Sequence, residues 1–325
     1  MKTQTLGVSD LQVSRIAYGC MQIGGNWNGS PISTKVQKDA IKSVRTALDA
    51  GINFYDHADI YCLGKSEEVF SAMWSEVPSL RGQIILQSKA GIRFDGTPDR
   101  QDVTRYDFSA SHILTTVEGS LKRLKTDYLD VLLLHRPDAL VEPEEIARTL
   151  DELHRSGKVR WFGVSNHTAP QMELLSHFLH QPIVANQVEF NMLHTHLLDE
   201  GVNFNQYVDR MARNVGTIEY CRLHNITLQS WGSLANGWVT GRKAEHPTQI
   251  QTNTTALVSD LAKEKGIDPE AILVAWILRH PAKIQAIIGT TRPERINAAC
   301  QGDAVELSRE EWYRLYTAGR GEGLP

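Results

Sequence analysis

The chain has 325 residues, 41% of them hydrophobic, and a formal net charge of −4. That length and apolar content suffice for a large core, and we read residues 1–325 as one domain. The weakly acidic balance argues against nucleic acid as a partner, while leaving room for a local basic pocket that holds an anion. The four cysteines, Cys20, Cys62, Cys221 and Cys300, show no CxxC and no zinc-like spacing. They read as reduced thiols of a cytoplasmic protein, and no metal is expected. The opening MKTQTLGVSDLQVSR has no apolar core of a signal peptide, and the longest apolar run, 271–278, is too short to span a bilayer.

Residues 1–14 come first, and Leu6-Gly7 and Ser9-Asp10 read as turns of a small hairpin capping the floor of a barrel. Short runs rich in Ile, Val, Leu and aromatics then recur at 15–19, 52–56, 84–89, 131–135, 161–165, 183–187, 227–231 and 286–289. Their length and composition suit buried parallel strands. Helical patterns lie between them. Residues 35–50 carry Val36, Ala40, Ile41, Val44, Ala47 and Leu48 on one face and stop at Gly51, a C-terminal cap. Residues 111–125 place Ile113, Leu114, Val117, Leu121 and Leu124 together, and 143–156 begins with Pro143 and ends before Gly157. Stretches 168–178, 216–224 and 293–299 fill other crossovers, and 308–318 reads as a C-terminal helix. Strand–helix alternation repeated eight times over about 290 residues predicts an α/β fold, a (β/α)8 TIM barrel with an N-terminal β-hairpin cap and a C-terminal helix. The longer connections 190–213 and 232–256 interrupt the repeat, with 244–256 open as a lid or as a plain surface insertion.

Three successive strand ends carry ionisable groups: NFYDHADIY (53–61), QSKAG (87–91) and LLLHRPD (132–138). Reducing a carbonyl needs a hydride at carbon and a proton at oxygen. A tyrosine hydroxyl donates that proton when a nearby ammonium lowers its pKa, and a carboxylate fixes the ammonium. Asp56, Tyr61 and Lys89 have these roles available, and His135 is placed to orient the carbonyl oxygen. Taken singly, each has a plainer explanation as a helix cap, a solvated charge, a core histidine or a wall residue. Four together at consecutive strand ends point to a site.

With Asp56-x4-Tyr61, SKAG and LLLHRPD stand GKVRWFGVSN (157–166) and NQVEFN (186–191). In these motifs, over nearly its whole length, the chain resembles the aldo-keto reductase superfamily. It is most similar to the bacterial general oxidoreductases, which also resemble potassium-channel β-subunits. The resemblance implies NADPH-dependent reduction of aldehydes or ketones, with Tyr61 as general acid, Lys89 tuning it, Asp56 holding Lys89 and His135 orienting the substrate. It implies that Ser165, Asn166 and Gln187 bind the nicotinamide amide and that Trp231 lies against the ring. Cys20 and Met21, after the first strand, would also face the cofactor. Gly232, Ser233, Leu234, Ala235 and Arg242 would form a pyrophosphate clamp within the stretch to SLANGWVTGRK (233–243). Gly289, Thr290, Thr291, Arg292 and Arg295 would hold a 2′-phosphate at a helix N-terminus.

The chain departs from the family pattern in places. No Lys stands near Gly289, Ala298 and Ala299 replace an adenine-contacting Glu-Asn pair, and His57 replaces the usual Thr, adding a titratable neighbour. No GxGxxG occurs, so a Rossmann-type cofactor mode has no support in the sequence. The aromatics Trp27, Phe94, Tyr106, Phe190 and Trp238 are candidate pocket walls, with Trp27 foremost beside Tyr61 and His135. Two other classes remain. One is a cofactor-binding regulatory or redox-sensor subunit with slow turnover, the branch in which the strand-four His is typically absent. The other is a metal-dependent hydrolase using His57, Asp59 and His135, which leaves Lys89 without a role.

Overall fold

The computed structural model describes residues 1–203, 216–242 and 245–325. The chain opens with a hairpin of β1 (Thr3–Thr5) and β2 (Gln12–Ser14), antiparallel with Thr3 opposite Ser14. Gly7 turns it at φ +54°, and a Cβ there would lie 2.5 Å from the Val184 carbonyl oxygen. The hairpin is therefore seated against the barrel's underside.

The barrel strands follow as β3 (Ile16–Gly19), β4 (Phe54–Asp56) and β5 (Ile85–Ala90). A small antiparallel hairpin intervenes, β6 (Ile92–Arg93) with β7 (Arg105–Tyr106). Then come β8 (Leu129–Leu134), β9 (Val159–Ser165), β10 (Ile183–Glu189), β11 (Thr227–Trp231) and β12 (Gln285–Ile288). The eight close in sequence order, β12 pairing back onto β3, and every barrel pair is parallel. The expected eight strands and N-terminal hairpin are all present; β6 and β7 were not foreseen.

The helices are α1 (Thr34–Asp49), α2 (Lys65–Phe70), α3 (Met73–Glu76), α4 (Ala110–Leu124), α5 (Pro143–Arg155), α6 (Ala169–Phe178), α7 (His196–Val202), α8 (Thr217–Leu223), α9 (Gln249–Lys265), α10 (Pro269–Leu278), α11 (Pro293–Cys300) and α12 (Arg309–Arg320). Local chemistry explains their limits. Ser33 caps α1 by accepting from the Val36 N–H, and α1 buries Ala40, Val44 and Ala47. Pro143 opens α5, and Ser308 with Glu311 forms a capping box on α12. The apolar run 271–278 lies in α10, buried on all sides, with Trp276 stacked on Trp312 of α12.

One loop expectation fails. Residues 249–256 form the first turns of α9, capped by Thr248 and Gln251. The sequence 190–213 also contains α7, and its part at 204–213 lies outside the described residues, as do 214–215 and 243–244.

Strand parity organises the interior, because alternate residues face one side. Phe54, Ile85, Val131, Ala185 and Ile287 pack with Leu6, Leu11 and Val13 of the hairpin as an apolar floor. Two residues further along the same strand faces stand Asp56, Gln87, Leu133 and Gln187, and Lys89 and His135 come two residues beyond Gln87 and Leu133. The polar groups thus rise from the floor toward the C-terminal mouth, where barrels of this kind carry their sites.

Candidate active site

A cleft of about 510 Å³ opens at that mouth. Its lining includes Met21, Trp27, Asp56, Tyr61, His135, Ser165, Asn166, Gln187, Trp231, Gly232, Ser233, Leu234, Gly289 and Arg295. Most residues singled out in the sequence are thereby brought together. Cys20, Ala235 and Thr291 do not line it: Cys20 and Ala235 are buried behind the wall, and Thr291 is exposed, its carbonyl accepting from Ser43 Oγ.

Lys89 is the hub. Its Nζ donates to Asp56 Oδ1 at 2.7 Å and Oδ2 at 2.8 Å, to the His57 carbonyl at 2.8 Å, and lies 3.0 Å from Tyr61 Oη. Asp56 further accepts from Gln87 Nε2 at 2.6 Å and Gln187 Nε2 at 3.1 Å. The ion pair is buried, the Lys89 side chain 0% and that of Asp56 3% exposed. Such a pair survives burial only because its remaining hydrogen-bonding capacity is satisfied.

Burial acts against the Lys89 ammonium, yet Asp56 and Tyr61 outweigh it and hold its pKa above the ordinary value. For Tyr61 the balance differs from the expectation of a lowered pKa. Burial pushes the phenol up, the Lys89 charge pulls it down, and the net direction is up. In this state the hydroxyl keeps its proton, and the ammonium offsets part of the penalty on the phenolate.

His135 is held well below the usual histidine range by burial, then by Lys89 and Arg136, so its ring is neutral. The rings of Tyr61 and His135 lie 6.2 Å apart, edge to face, and Trp27 stands 6.5 Å from Tyr61 on the open side. Lys65 fixes the loop bearing Trp27 by donating to the carbonyls of Asn28 and Ser30.

His57 is not the titratable neighbour anticipated. Burial and Lys89 hold it down at about 3, its ring packs edge-on against Phe70 at 4.7 Å, and among the described residues neither ring nitrogen has a partner. Burial and the adjacent Glu67 push Asp59 up to about 7.

Along the cleft, Asn166 sits in the left-handed region at φ +60°. Its Nδ2 donates to Ser165 Oγ at 2.8 Å, and its Oδ1 accepts from Trp231 Nε1 at 3.1 Å. The Ser165 hydroxyl donates to the Gln187 carbonyl. These bonds lock the Ser165 and Asn166 side chains beside an indole face. Arg136, missed in the sequence although adjacent to His135, lines the cleft with its guanidinium 5.9 Å from the Trp231 ring.

The far end opens into a hollow of about 630 Å³ lined by Asn236, Thr240, Gly241, Arg242, Arg292, Glu294 and Arg295. Arg295 is tied to Glu270 at 2.7 Å and to both oxygens of Thr240. Arg242 lies over the Trp238 ring at 4.1 Å. Among the described residues, neither Arg242 nor Arg292 forms an ion pair. A cleft with an indole face and amides at one end and uncompensated guanidinium groups at the other fits a dinucleotide. Ala298 and Ala299 are buried and offer it no polar side chain.

Two expected wall residues belong elsewhere. Phe190 is fully buried and stacks on Trp276 at 5.0 Å, while Trp238 supports Arg242. Neither lines the cleft, nor do Phe94 and Tyr106.

A closed parallel barrel with a buried Asp–Lys pair joined to a tyrosine at its mouth, facing a long cleft, sets the frame for the comparison with known proteins. The model of the aldo/keto reductase family matches residues 15–319, and the chain belongs to that family. It is 34% identical over 319 residues to the uncharacterized oxidoreductase YcsN of Bacillus subtilis, covering 97% of each chain. It is 34% identical over 321 residues to the 6-dehydroglucose reductase of Agrobacterium fabrum, covering 98% of this chain and 99% of that one. The glycerol dehydrogenase structure from Gluconobacter oxydans shares the fold at a TM-score of 0.79 and 24% identity, covering 97% and 94%. The chain is accordingly a nicotinamide-dependent oxidoreductase. Among the described residues no helix is long and apolar enough to cross a membrane.

Proposed function

We propose that this chain reduces an aldehyde or ketone to the alcohol with NADPH, and that Tyr61 gives the proton. The observation that carries this reading is the buried relay Asp56–Lys89–Tyr61, with contacts of 2.7 and 3.0 Å, facing the open cleft. When bound, the reduced nicotinamide supplies the hydride.

The chain's own residues do the rest. Neutral His135 and the Tyr61 hydroxyl orient the carbonyl oxygen by hydrogen bonds. As negative charge develops there, the Tyr61 proton moves onto it, and the Lys89 ammonium stabilises the phenolate left behind. Asp56 keeps Lys89 charged and in place. Trp27 narrows the mouth against water. Ser165, Asn166 and Gln187 would hold the carboxamide and Trp231 the ring face. Gly232, Ser233, Leu234 and Arg242 would hold the pyrophosphate, and Arg292 and Arg295 the 2′-phosphate, which favours NADPH over NADH.

The regulatory-subunit alternative is not favoured: His135 stands beside Tyr61, and the relatives bear reductase or oxidoreductase names. Because one relative is named for 6-dehydroglucose, that sugar aldehyde belongs first in a substrate panel. The test is Tyr61→Phe. We expect turnover to fall by about 10²- to 10⁴-fold, with NADPH still quenching tryptophan fluorescence at wild-type affinity. A fully active variant would remove Tyr61 as the acid.

A further inference from the structure

Barrel interiors of this class are ordinarily filled by branched aliphatic side chains. Here four strands each turn a glutamine inward: Gln87 from β5, Gln187 from β10, Gln229 from β11 and Gln285 from β12, every one buried. Burying amides is costly unless each is bonded, and the bonding has a direction. Gln87 Nε2 lies between Asp56 Oδ1 at 2.6 Å and Gln229 Oε1 at 3.0 Å. Gln187 Nε2 spans the same two acceptors at 3.1 and 3.1 Å. Gln229 Nε2 donates down to Gln285 Oε1 at 2.9 Å, and Gln285 Nε2 donates to the Ser14 carbonyl at 2.8 Å.

Both ends of this column accept only: an ionised carboxylate above and a backbone carbonyl below. Turning any one amide over sets oxygen against oxygen or nitrogen against nitrogen. The Ser14 carbonyl thus fixes the orientation of Gln285, which fixes Gln229, which leaves Gln87 and Gln187 no choice but to present N–H groups to Asp56.

We propose that Gln87, Gln229 and Gln285 are positioning residues, an amide column that holds Asp56 as a charged acceptor and, through Lys89, sets how readily Tyr61 releases its proton. This rests on the reading of Tyr61 as the acid. The donors draw charge from Asp56. Without them the carboxylate draws Lys89 away from the phenol, and its own charge bears on Tyr61 directly. Both changes disfavour the phenolate. The other groups facing Tyr61 are the Cys20 thiol from the loop after β3, the neutral His135 ring after β8 and the Trp27 indole. Neither the rings nor a protonated thiol brings a charge that could replace the donors.

The experiment is an ultraviolet difference titration of the phenolate, each protein read against its own Tyr61→Phe counterpart, in Gln229→Leu, Gln285→Leu and Gln229→Glu. No turnover is needed, so a failure of the acid assignment, seen as an active Tyr61→Phe, is distinct from a failure of the column. In Gln229→Leu, where Gln87 and Gln187 lose the acceptor that aims their N–H groups at Asp56, we expect Tyr61 to ionise at higher pH, and kcat at neutral pH to drop by about tenfold, as for charge-assisted bonds loosened by the loss of their support. Gln285→Leu shifts the same way by less. Gln229→Glu, a buried carboxylic acid that keeps its proton at neutral pH, accepts above and donates below as the amide does and restores kcat there. A folded Gln229→Leu whose Tyr61 titrates as in the wild type, with only its thermal midpoint lowered, reduces the column to packing and overturns the proposal. Should Gln229→Leu not fold, an unshifted Tyr61 in Gln285→Leu overturns it equally.

Discussion

The two ends of the cleft are charged in opposite fashions. At the mouth, Lys89 is buried and has four oxygen neighbours before any ligand arrives. At the far end, Arg242 and Arg292 are exposed and, among the described residues, without an ion-pair partner. The first end is finished by folding; the second, on the proposed function, is finished by its ligand. Preorganisation matters where charge develops during a reaction. Where a ligand brings its own charge, guanidinium groups left free cost little in water and bind phosphate well.

The largest effect should come from breaking the finished end. Lys89→Met leaves the Asp56 carboxylate buried without its ammonium, and we expect it to cost about 3–5 kcal/mol of stability, read from urea unfolding. A variant as stable as wild type would mean that the pair is not held by folding. The open end should behave otherwise. Arg292→Ala should weaken NADPH by roughly tenfold, as for a lost charge-assisted contact, while leaving NADH and the unfolding midpoint almost unchanged. Equal losses for both nucleotides in fluorescence titrations would place the 2′-phosphate elsewhere.

The smallest effect sharpens the contrast by pH. Burial holds His57 at about 3 against an ordinary 6.5, so the folded chain refuses a proton that the unfolded chain accepts. Its contribution is complete above about 6.5 and drains away as the pH falls toward about 3. In His57→Thr the decline of unfolding free energy with acid should be shallower, as judged from urea midpoints at a series of pH values. An unchanged slope would show that His57 already binds its proton in the native state.

The barrel and its mouth were legible because parity and motif agree: Asp56, Lys89 and His135 end apolar runs, on the inward face. Other parts give no such signal. Gln87, Gln229 and Gln285 are polar residues in strands, which a pattern reader takes for solvent-facing positions; only closure of the barrel turns them inward. Helix α9 begins TQIQTNTT, a polar run without an apolar stripe, and its start is set by the Thr248–Gln251 capping box. The strands of β6 and β7 have two residues each, too few for periodicity. Phe190 looked like a rim aromatic because it follows a strand, but stacking on Trp276 is a tertiary fact. The structure sets Tyr61 beside Lys89, but its phenol is pushed up and not down, since the motif names the neighbouring ammonium and says nothing about the desolvation that outweighs it.

The hairpin under the barrel bears on how the molecule is assembled. The Lys2 N–H donates to Asp303, Gln4 to the Lys283 carbonyl and Gly7 to Thr227 Oγ1, while Gln285 donates to Ser14. These contacts join residues 220 to 301 positions apart. The hairpin is also held by Asn53, which accepts from the Ser14 N–H, and by Trp161, which donates to Asp10, so its seat is built from strands all along the sequence. That seat is whole only once β12 has paired back onto β3, and the docking of the hairpin marks the completion of the barrel.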